Sequence, residues 1–238
     1  MKRFFAFLLG VSVLVSFSHA GGDDTMESET FMETSVVWYG NSMLGMGIGD
    51  QWVMTDITKV PGSYSGGSVV LYTHDHGDHY NAAAAKSLRE RGATIIAPFA
   101  VPGGQLIKVG QKIAIGGLEI EAVPAYNVKK TQYHPKSKGY VGYLIRGGGL
   151  TVYVAGDTER IPEMKTFSAD VAFVPLGQTY TMNSVDDAAQ AVLDVKAKAA
   201  AGYHCGPGAA EGRAGDADTF AQLLDGKVSV WTLAKADD

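Results

Sequence analysis

The alternation of apolar and polar positions predicts short strands over most of this chain, with helices between them. Ser35-Val36-Val37-Trp38-Tyr39 and Gln51-Trp52-Val53-Met54 read as strands, Gly62 to Gly67 as a loop, and Ser68-Val69-Val70-Leu71-Tyr72 as a buried strand. The run Gly45-Met46-Gly47-Ile48-Gly49 lacks the spacing of a phosphate-binding loop and is expected to be a tight turn between strands. Asn81 is placed to cap a helix through Ala82-Ala83-Ala84-Ala85 to Arg91, stopped by Gly92.

Further along, Lys112–Ile115 and Leu118–Val123 flank Gly116-Gly117 as a hairpin, and Tyr140–Ile145 and Leu150–Val154 flank Gly147-Gly148-Gly149 in the same way. A strand at Val171–Val174 precedes helices near Val185–Val195 and Asp216–Leu224. There is no short-period repeat. Strands and helices recur in two halves, which predicts an α/β protein of sheets covered by helices.

The amino terminus changes the picture of where the protein works. Lys2 and Arg3 precede an apolar stretch from Phe4 to Phe17, followed by Ser18-His19-Ala20 before Gly21-Gly22. This is the pattern of a secretory signal peptide over residues 1–20, cut after Ala20, and its apolar core is shorter than the ~20 residues that span a bilayer. A periplasmic or secreted protein without a membrane anchor after cleavage is expected. Residues 21–33 carry Asp23, Asp24, Glu27, Glu29 and Glu33 with little apolar periodicity, and are expected to form a flexible acidic lead-in to a folded domain over 34–238.

Cleavage would remove two basic residues and no acidic ones, leaving 18 Lys and Arg against 25 Asp and Glu and moving the net charge from −5 to −7. Such a surface disfavours binding to a phosphate backbone, so a small-molecule substrate is expected and nucleic acid is not. Cys205 is the only cysteine, so no intramolecular disulfide can form, and stability must come from a packed core, for which a 46% hydrophobic content suffices. Because Cys205 follows His204, it reads either as a buried inert thiol or as a metal thiolate.

The densest chemistry lies at Thr73-His74-Asp75-His76-Gly77-Asp78-His79, directly after the buried strand. Imidazole and carboxylate are ligands of borderline metals such as zinc, and catalytic sites of this kind keep a position open for water. In an extended segment His74, His76 and Asp78 share one side while His79 points elsewhere. Four such groups rarely serve one ion. If His74 and His76 hold one metal, Asp78 and His79 at the following turn reach a second, and two ions roughly 3.5–4 Å apart would clamp a shared hydroxide.

Two other clusters follow strand-like runs. Leu150–Val154 leads into Ala155-Gly156-Asp157-Thr158, where Asp157 has two oxygens with which to bridge two ions and Gly156 lets the backbone approach closely. Ala199–Tyr203 leads into His204, taken as a ligand of the second ion because metal sites need ligands from distant strands. His134, on a loop, is open to three readings: ligand, substrate contact or surface residue. No G-x-S-x-G elbow and no Cys-x-x-Cys pair occurs.

The order of strand, His-x-His-x-Asp-His, later Gly-Asp-Thr and final His-containing turn resembles the metallo-β-lactamase superfamily over nearly all of residues 34–238. More narrowly, Trp38-Tyr39-Gly40, Pro124-Ala125-Tyr126-Asn127, His134-Pro135-Lys136, Ala155-Gly156-Asp157-Thr158, Ile161-Pro162-Glu163-Met164, Pro175-Leu176-Gly177 and Thr179-Tyr180-Thr181-Met182 are similar to the branch of metal-dependent hydrolases related to ascorbate-6-phosphate lactonase. The resemblance implies an αββα sandwich of two mixed sheets with metals at one edge. It implies His74 and His76 on a first ion, Asp78, His79 and His204 on a second, and Asp157 joining them. Many relatives carry a middle histidine where this chain has Pro124-Ala125-Tyr126-Asn127, leaving Asn127 or His134 to complete the first site. Where many carry Gly-His-Ser, this chain has Gly40-Asn41-Ser42.

The expectation is an exported hydrolase with two divalent ions, zinc first and manganese or iron as alternatives. Asp78 would orient the nucleophile, and Tyr126 or Tyr180 would donate to developing negative charge or simply pack. The substrate would be a small ester, lactone or phosphodiester; the branch motifs do not favour a β-lactam. The missing middle histidine motivates a competing expectation, an exported metal- or ligand-binding protein of this fold without catalysis.

Overall fold

The computed structural model describes residues 25–205 and 215–236. The chain begins with helix α1 (Thr25–Ser35) and continues through β1 (Val36–Gly40), β2 (Met43–Ile48), β3 (Gln51–Thr55), β4 (Val69–Leu71), α2 (Ala82–Glu90), β5 (Thr94–Ala97) and β6 (Gln105–Leu106). Next come β7 (Lys112–Ile115), β8 (Leu118–Pro124), β9 (Val141–Gly147), β10 (Leu150–Val154), β11 (Val171–Pro175), α3 (Val185–Asp194), β12 (Ala199–Tyr203), α4 (Asp216–Leu224) and β13 (Ser229–Trp231). Strands β1 to β6 form one sheet in sequence order, and β7 to β13 form another in the order β13-β12-β11-β10-β9-β8-β7. Each sheet mixes antiparallel hairpins with parallel strands.

The core lies between the sheets, where Leu44, Met46, Val53, Val69 and Leu71 of one meet Ile120, Val141, Tyr143, Val152, Val154 and Phe173 of the other. Helices cover the outer faces. Ala85 and Leu88 of α2 pack with Val70, Tyr72 and Ile95, while α3 and α4 bring Ala188, Val192, Phe220 and Leu224 onto Ala172, Val174 and Ala200. The result is the αββα sandwich expected from the sequence. Strand β4 shows why its apolar run is continuous: Val69 and Leu71 face the other sheet, and Val70 faces α2. Both glycine hairpins form, Ile115 pairing with Leu118 and Gly147 with Leu150, and Asn81 caps α2 by accepting from the N–H of Ala84 at 2.9 Å.

Two expectations give way. Residues 25–33 are not a flexible lead-in, because they fold into α1, and Phe31 and Met32 are buried in the inter-sheet core. Two adjacent apolar residues were enough to anchor a segment whose average polarity suggested disorder. Residues 21–24, like the proposed leader, lie outside the described residues. Gly45 to Ile48 lie in β2 rather than in a turn, and only the last glycine of the run, Gly49, takes part in the reversal with Asp50. A Cβ at Gly45 would stand 2.6 Å from the Trp52 ring and 2.9 Å from the Tyr39 ring, so the glycine admits two aromatics across the strands.

Candidate metal centre

The polar clusters all leave the carboxyl ends of their strands at one edge of the sandwich: residues 73–79 after β4, the 125–140 loop after β8, Asp157 after β10 and His204 after β12. Strands β10, β11 and β12 run parallel, which carries Asp157 and His204 to the same edge. The 73–79 segment itself is not extended. It turns, with the N–H of His79 donating to the carbonyl of His76 at 3.0 Å, so Asp78 joins His79 rather than sharing a face with His74 and His76. Gly156 has φ +66, and a Cβ there would meet the carbonyl oxygen of Val141 at 2.9 Å, so the close approach inferred for this glycine is real.

Two clusters of donor atoms result, with Asp157 between them. His74, His76 and His134 form one; Asp78, His79 and His204 form the other. Asp157 Oδ2 faces the first, 3.5 Å from His134 Nε2 and 4.0 Å from His74 Nε2. Asp157 Oδ1 faces the second, 3.2 Å from His79 Nε2 and 3.8 Å from His204 Nε2. Asp78 Oδ2 lies 3.3 Å from His204 Nε2. Ligands ~2.0–2.1 Å from a tetrahedral zinc stand roughly 3.3 Å from one another, so the spacing suits shared cations better than a chain of hydrogen bonds.

Proton bookkeeping supports the same fit. Thr73 donates its hydroxyl hydrogen to Asp56 Oδ2 at 2.8 Å, so it can only accept from His74 Nδ1 at 2.9 Å. His79 Nδ1 donates to Asp56 Oδ2 at 2.9 Å, and His134 Nδ1 to the carbonyl of Tyr180 at 3.2 Å. Each ring's hydrogen is thus spent on Nδ1, leaving Nε2 with a bare lone pair aimed inward. His74 Nε2, His134 Nε2 and Asp157 Oδ1 are buried without a hydrogen-bond partner. Orphaned acceptors converging from three segments are a donor set fitted to divalent cations.

The electrostatics follow from burial and this crowding. Burial and the neighbouring His79 charge hold His74 well below the usual histidine range, and burial likewise lowers His134. His79 is raised well above its ordinary value: burial opposes the charge, but Asp157 and Asp56 overcome it. Burial pushes Asp157 up, yet His204, His79 and His74 hold it well below the carboxylate range. The His204 hydrogen bond brings Asp78 down to about 2. Cations seated here would replace the proton on His79 as partners of the same carboxylates.

Among the other candidates, His134 is buried, sits with His74 and His76 and lines the cavity, so the surface reading falls while those of ligand and substrate contact stand. Asn127 is not in either cluster; its Nδ2 donates to the carbonyls of Lys130 at 3.1 Å and Tyr180 at 2.6 Å, tying loops together. Of the two roles expected of Tyr126 the structure shows packing: its hydroxyl donates to Glu163 at 2.9 Å, under Lys136, and it does not line the cavity. Tyr180 does, together with His76, Asp78, Tyr133, His134 and Asp157, around a cavity of about 210 Å³. Cys205 packs against the outer core beside α4 and belongs to neither donor cluster.

Sequence reasoning missed Asp56, although it follows β3 as Asp157 follows β10, and the same rule would have found it. It also missed Tyr140, whose hydroxyl donates to Asp75 at 2.9 Å beneath the histidines, and Tyr133 at the cavity mouth. Asp56 and His204 have φ of 52° and 58°, left-handed values rare for non-glycine residues and common where function fixes the backbone.

A β-lactamase superfamily domain model matches residues 35–204. The chain belongs to the metallo-β-lactamase superfamily. Within it, the chain is similar to metal-dependent hydrolases of Thermofilum pendens (31% identity over 153 residues, 58% of this chain and 64% of that protein) and Staphylothermus marinus (31% over 171 residues, 65% and 71%). The first match thus spans slightly under two thirds of its relative. A crystal structure from Parabacteroides distasonis, of a protein classed as a metal-dependent hydrolase, superposes with a TM-score of 0.69 at 29% identity, over 85% of this chain and 93% of that one. A metallo hydrolase from Ignicoccus hospitalis shares the fold with a TM-score of 0.70 at 20% identity, over 85% and 96%. This superfamily member is therefore one of the metal-dependent hydrolases. The narrower likeness to the lactonase branch gains no support from these relatives, whose names carry no substrate.

Proposed function

We propose that this metal-dependent hydrolase holds two divalent ions, zinc in the first instance, and directs water onto a small ester, lactone or phosphodiester outside the cytoplasm. The observation that carries the reading is the division of Asp157, one oxygen toward His134 and His74 and the other toward His79 and His204. His74, His76 and His134 would hold one ion, and Asp78, His79 and His204 the other. Bound there, the ions supply Lewis acidity, lowering the pKa of water from about 15.7 towards about 7 and polarising a scissile oxygen.

The protein's own groups do the positioning. Asp56 and Thr73 fix the His79 and His74 rings through their Nδ1 atoms. Asp78, with its side chain 48% exposed, faces the cavity as the one half-open carboxylate and accepts a hydrogen bond from the attacking water. Tyr180, which lines the cavity, would donate its hydroxyl to negative charge developing on substrate. The competing reading of a non-catalytic binding protein rested on a missing middle histidine; His134 standing beside His74 and His76 removes that motive. Export rests on Lys2, Arg3, the apolar stretch and the small residues before Gly21.

Elemental analysis and turnover test the reading together. The purified chain is expected to carry two divalent ions, to hydrolyse a generic aryl ester, lactone or bis(nitrophenyl) phosphate, and to lose that turnover on chelation and regain it on metal addition. Turnover indifferent to chelation, or a chain that binds no metal, overturns it.

A further inference from the structure

The cavity beside the donor clusters has a wall that those clusters do not need. Tyr133 and Tyr180 line it as an edge-to-face pair, ring centroids 4.7 Å apart and planes at 82°. Both are 37% exposed, among the few large apolar side chains left open to solvent among the described residues. They come from different loops, and those loops are bound to each other. Lys130 Nζ donates to the carbonyls of Gln178 at 2.8 Å and Met182 at 3.0 Å. Asn127 Nδ2 donates to the Tyr180 carbonyl at 2.6 Å, and the Tyr133 N–H to the Lys130 carbonyl at 3.1 Å. Glu159 fixes the start of the first loop, accepting the N–H groups of Val128, Lys129 and Lys130. A pair of half-exposed aromatics held this firmly has paid its ordering entropy in advance, as a recognition surface does.

The rest of the lining defines what the wall can recognise. His76, Asp78, His134 and Asp157 belong to the donor clusters, and among the described residues no lysine or arginine lines the cavity. Lys130, on the loop that carries Tyr133, is turned onto backbone carbonyls. Among the described residues an anionic substituent would meet tyrosine hydroxyls but no fixed cation there apart from the metals. The volume of about 210 Å³ exceeds the ~150 Å³ cavity that takes one benzene molecule.

Resting on the hydrolase reading above, the geometry points to a substrate-binding subsite formed by Tyr133 and Tyr180 for an uncharged planar or aromatic group next to the bond that is cleaved. The two rings, set edge to face against each other, offer aromatic surface to such a group, and the reacting carbonyl or phosphoryl would then fall among the donor atoms of His76, Asp78 and Asp157 that share the lining. Tyr133 and Tyr180 are accordingly specificity determinants.

Binding of two hydroxamates to the zinc-loaded full chain, followed by calorimetry, tests this without turnover. Benzohydroxamate and acetohydroxamate share the metal-binding head and differ only in the group sent to the wall. Benzohydroxamate is expected to bind about tenfold tighter, Tyr133→Ala and Tyr180→Ala to bring that ratio to within about threefold, and Tyr133→Phe and Tyr180→Phe to keep it. A ratio near one in the unaltered protein, which needs no variant to fold, overturns the subsite and leaves the hydrolase reading standing. A full ratio retained in both alanine variants also overturns it. Binding of neither hydroxamate overturns the metal reading and the subsite together.

Discussion

His79 Nε2 lies 3.1 Å from His204 Nε2, two buried nitrogens aimed at each other from positions 125 residues apart in the chain. Since Asp56 takes the Nδ1 hydrogen of His79, the facing nitrogen is an acceptor, and two carboxylates add more acceptors, Asp157 at 3.2 Å from His79 Nε2 and Asp78 at 3.3 Å from His204 Nε2. Left to itself this arrangement concentrates lone pairs, and those of His79, His204 and Asp157 are buried. A proton relieves it partly, which is why His79 is pulled upward in pKa; a cation relieves it fully.

Replacing His204 therefore separates the two donor clusters. His204→Ala removes a ligand from the second and leaves His74, His76 and His134 intact, so metal content is expected to fall from two ions per chain to one and turnover by at least about 100-fold. Elemental analysis alongside a rate assay checks both. A variant that still holds two ions would show that His204 is a neighbour and not a ligand.

Asp56 acts through the histidine it orients. It accepts from the Thr73 N–H and hydroxyl at 2.8 Å each and from His79 Nδ1 at 2.9 Å, all without solvent contact. Asp56→Asn is expected to weaken the affinity of the second ion about 10- to 100-fold while His204, Asp78 and Asp157 remain. Competition with a calibrated chelator measures it, and unchanged affinity would reduce Asp56 to a folding role.

The first cluster can be dissected with a matched pair. His134→Ala is expected to release the first ion. Asn127→Ala, which removes the ties to Lys130 and Tyr180 and a longer contact at 3.4 Å to His134 Nδ1, is expected to retain both ions while loosening the cavity wall and raising KM severalfold. Loss of metal in Asn127→Ala with retention in His134→Ala would reverse the assignment.

These two residues also mark where sequence was and was not sufficient. The strand periodicity, the glycine hairpins and the cap at Asn81 are local, and they carried the fold, including the order that puts Asp157 and His204 at one edge. Local rules failed where a distant partner decided: Gly45 is a strand residue because Trp52 and Tyr39 cross it, and α1 is ordered because Phe31 and Met32 reach the inter-sheet core. Within the site, the motif marked His74, His76, Asp78 and His79 as donors, but the extended geometry read from its spacing gave way to a turn. The choice between His134 and Asn127 was not legible, since it depends on how the 125–140 loop folds back, and that is fixed by Glu159 and Lys130 across 29 residues or more.

The Cys205 thiol offers a separate check on the neighbourhood of His204. Burial, and then Asp216, push it up to about 11. At pH 8 its thiolate fraction is then lower than that of a free cysteine, pKa about 8.5, by roughly 200-fold. Alkylation by iodoacetamide is expected to be slower in the native chain than in denaturant by at least that factor. Comparable rates would place Cys205 in an activating environment and reopen the thiolate-ligand reading.

Glu159 links the site to acid stability. Burial alone would raise its pKa, but the backbone N–H groups of Lys129, Lys130 and Val128, together with the Lys130 charge, bring it below the ordinary carboxylate value. A carboxylate lowered by folding stabilises fully above its unfolded pKa of about 4.3, and the contribution disappears as pH falls through the folded value. Glu159→Gln puts an amide against three donors and can satisfy at most part of them, a loss of about 1–3 kcal/mol. With about 2–4 °C of Tm per kcal/mol for a domain of this size, the variant is expected to melt a few degrees lower at pH 7, with the gap to the unaltered protein closing below about pH 4. Because the same three N–H groups fix the loop that carries Tyr133 and His134, KM should rise in parallel at neutral pH. A gap in Tm that stayed constant down to pH 3 would mean that the charge of Glu159 contributes nothing, and that the loop is held by its other ties.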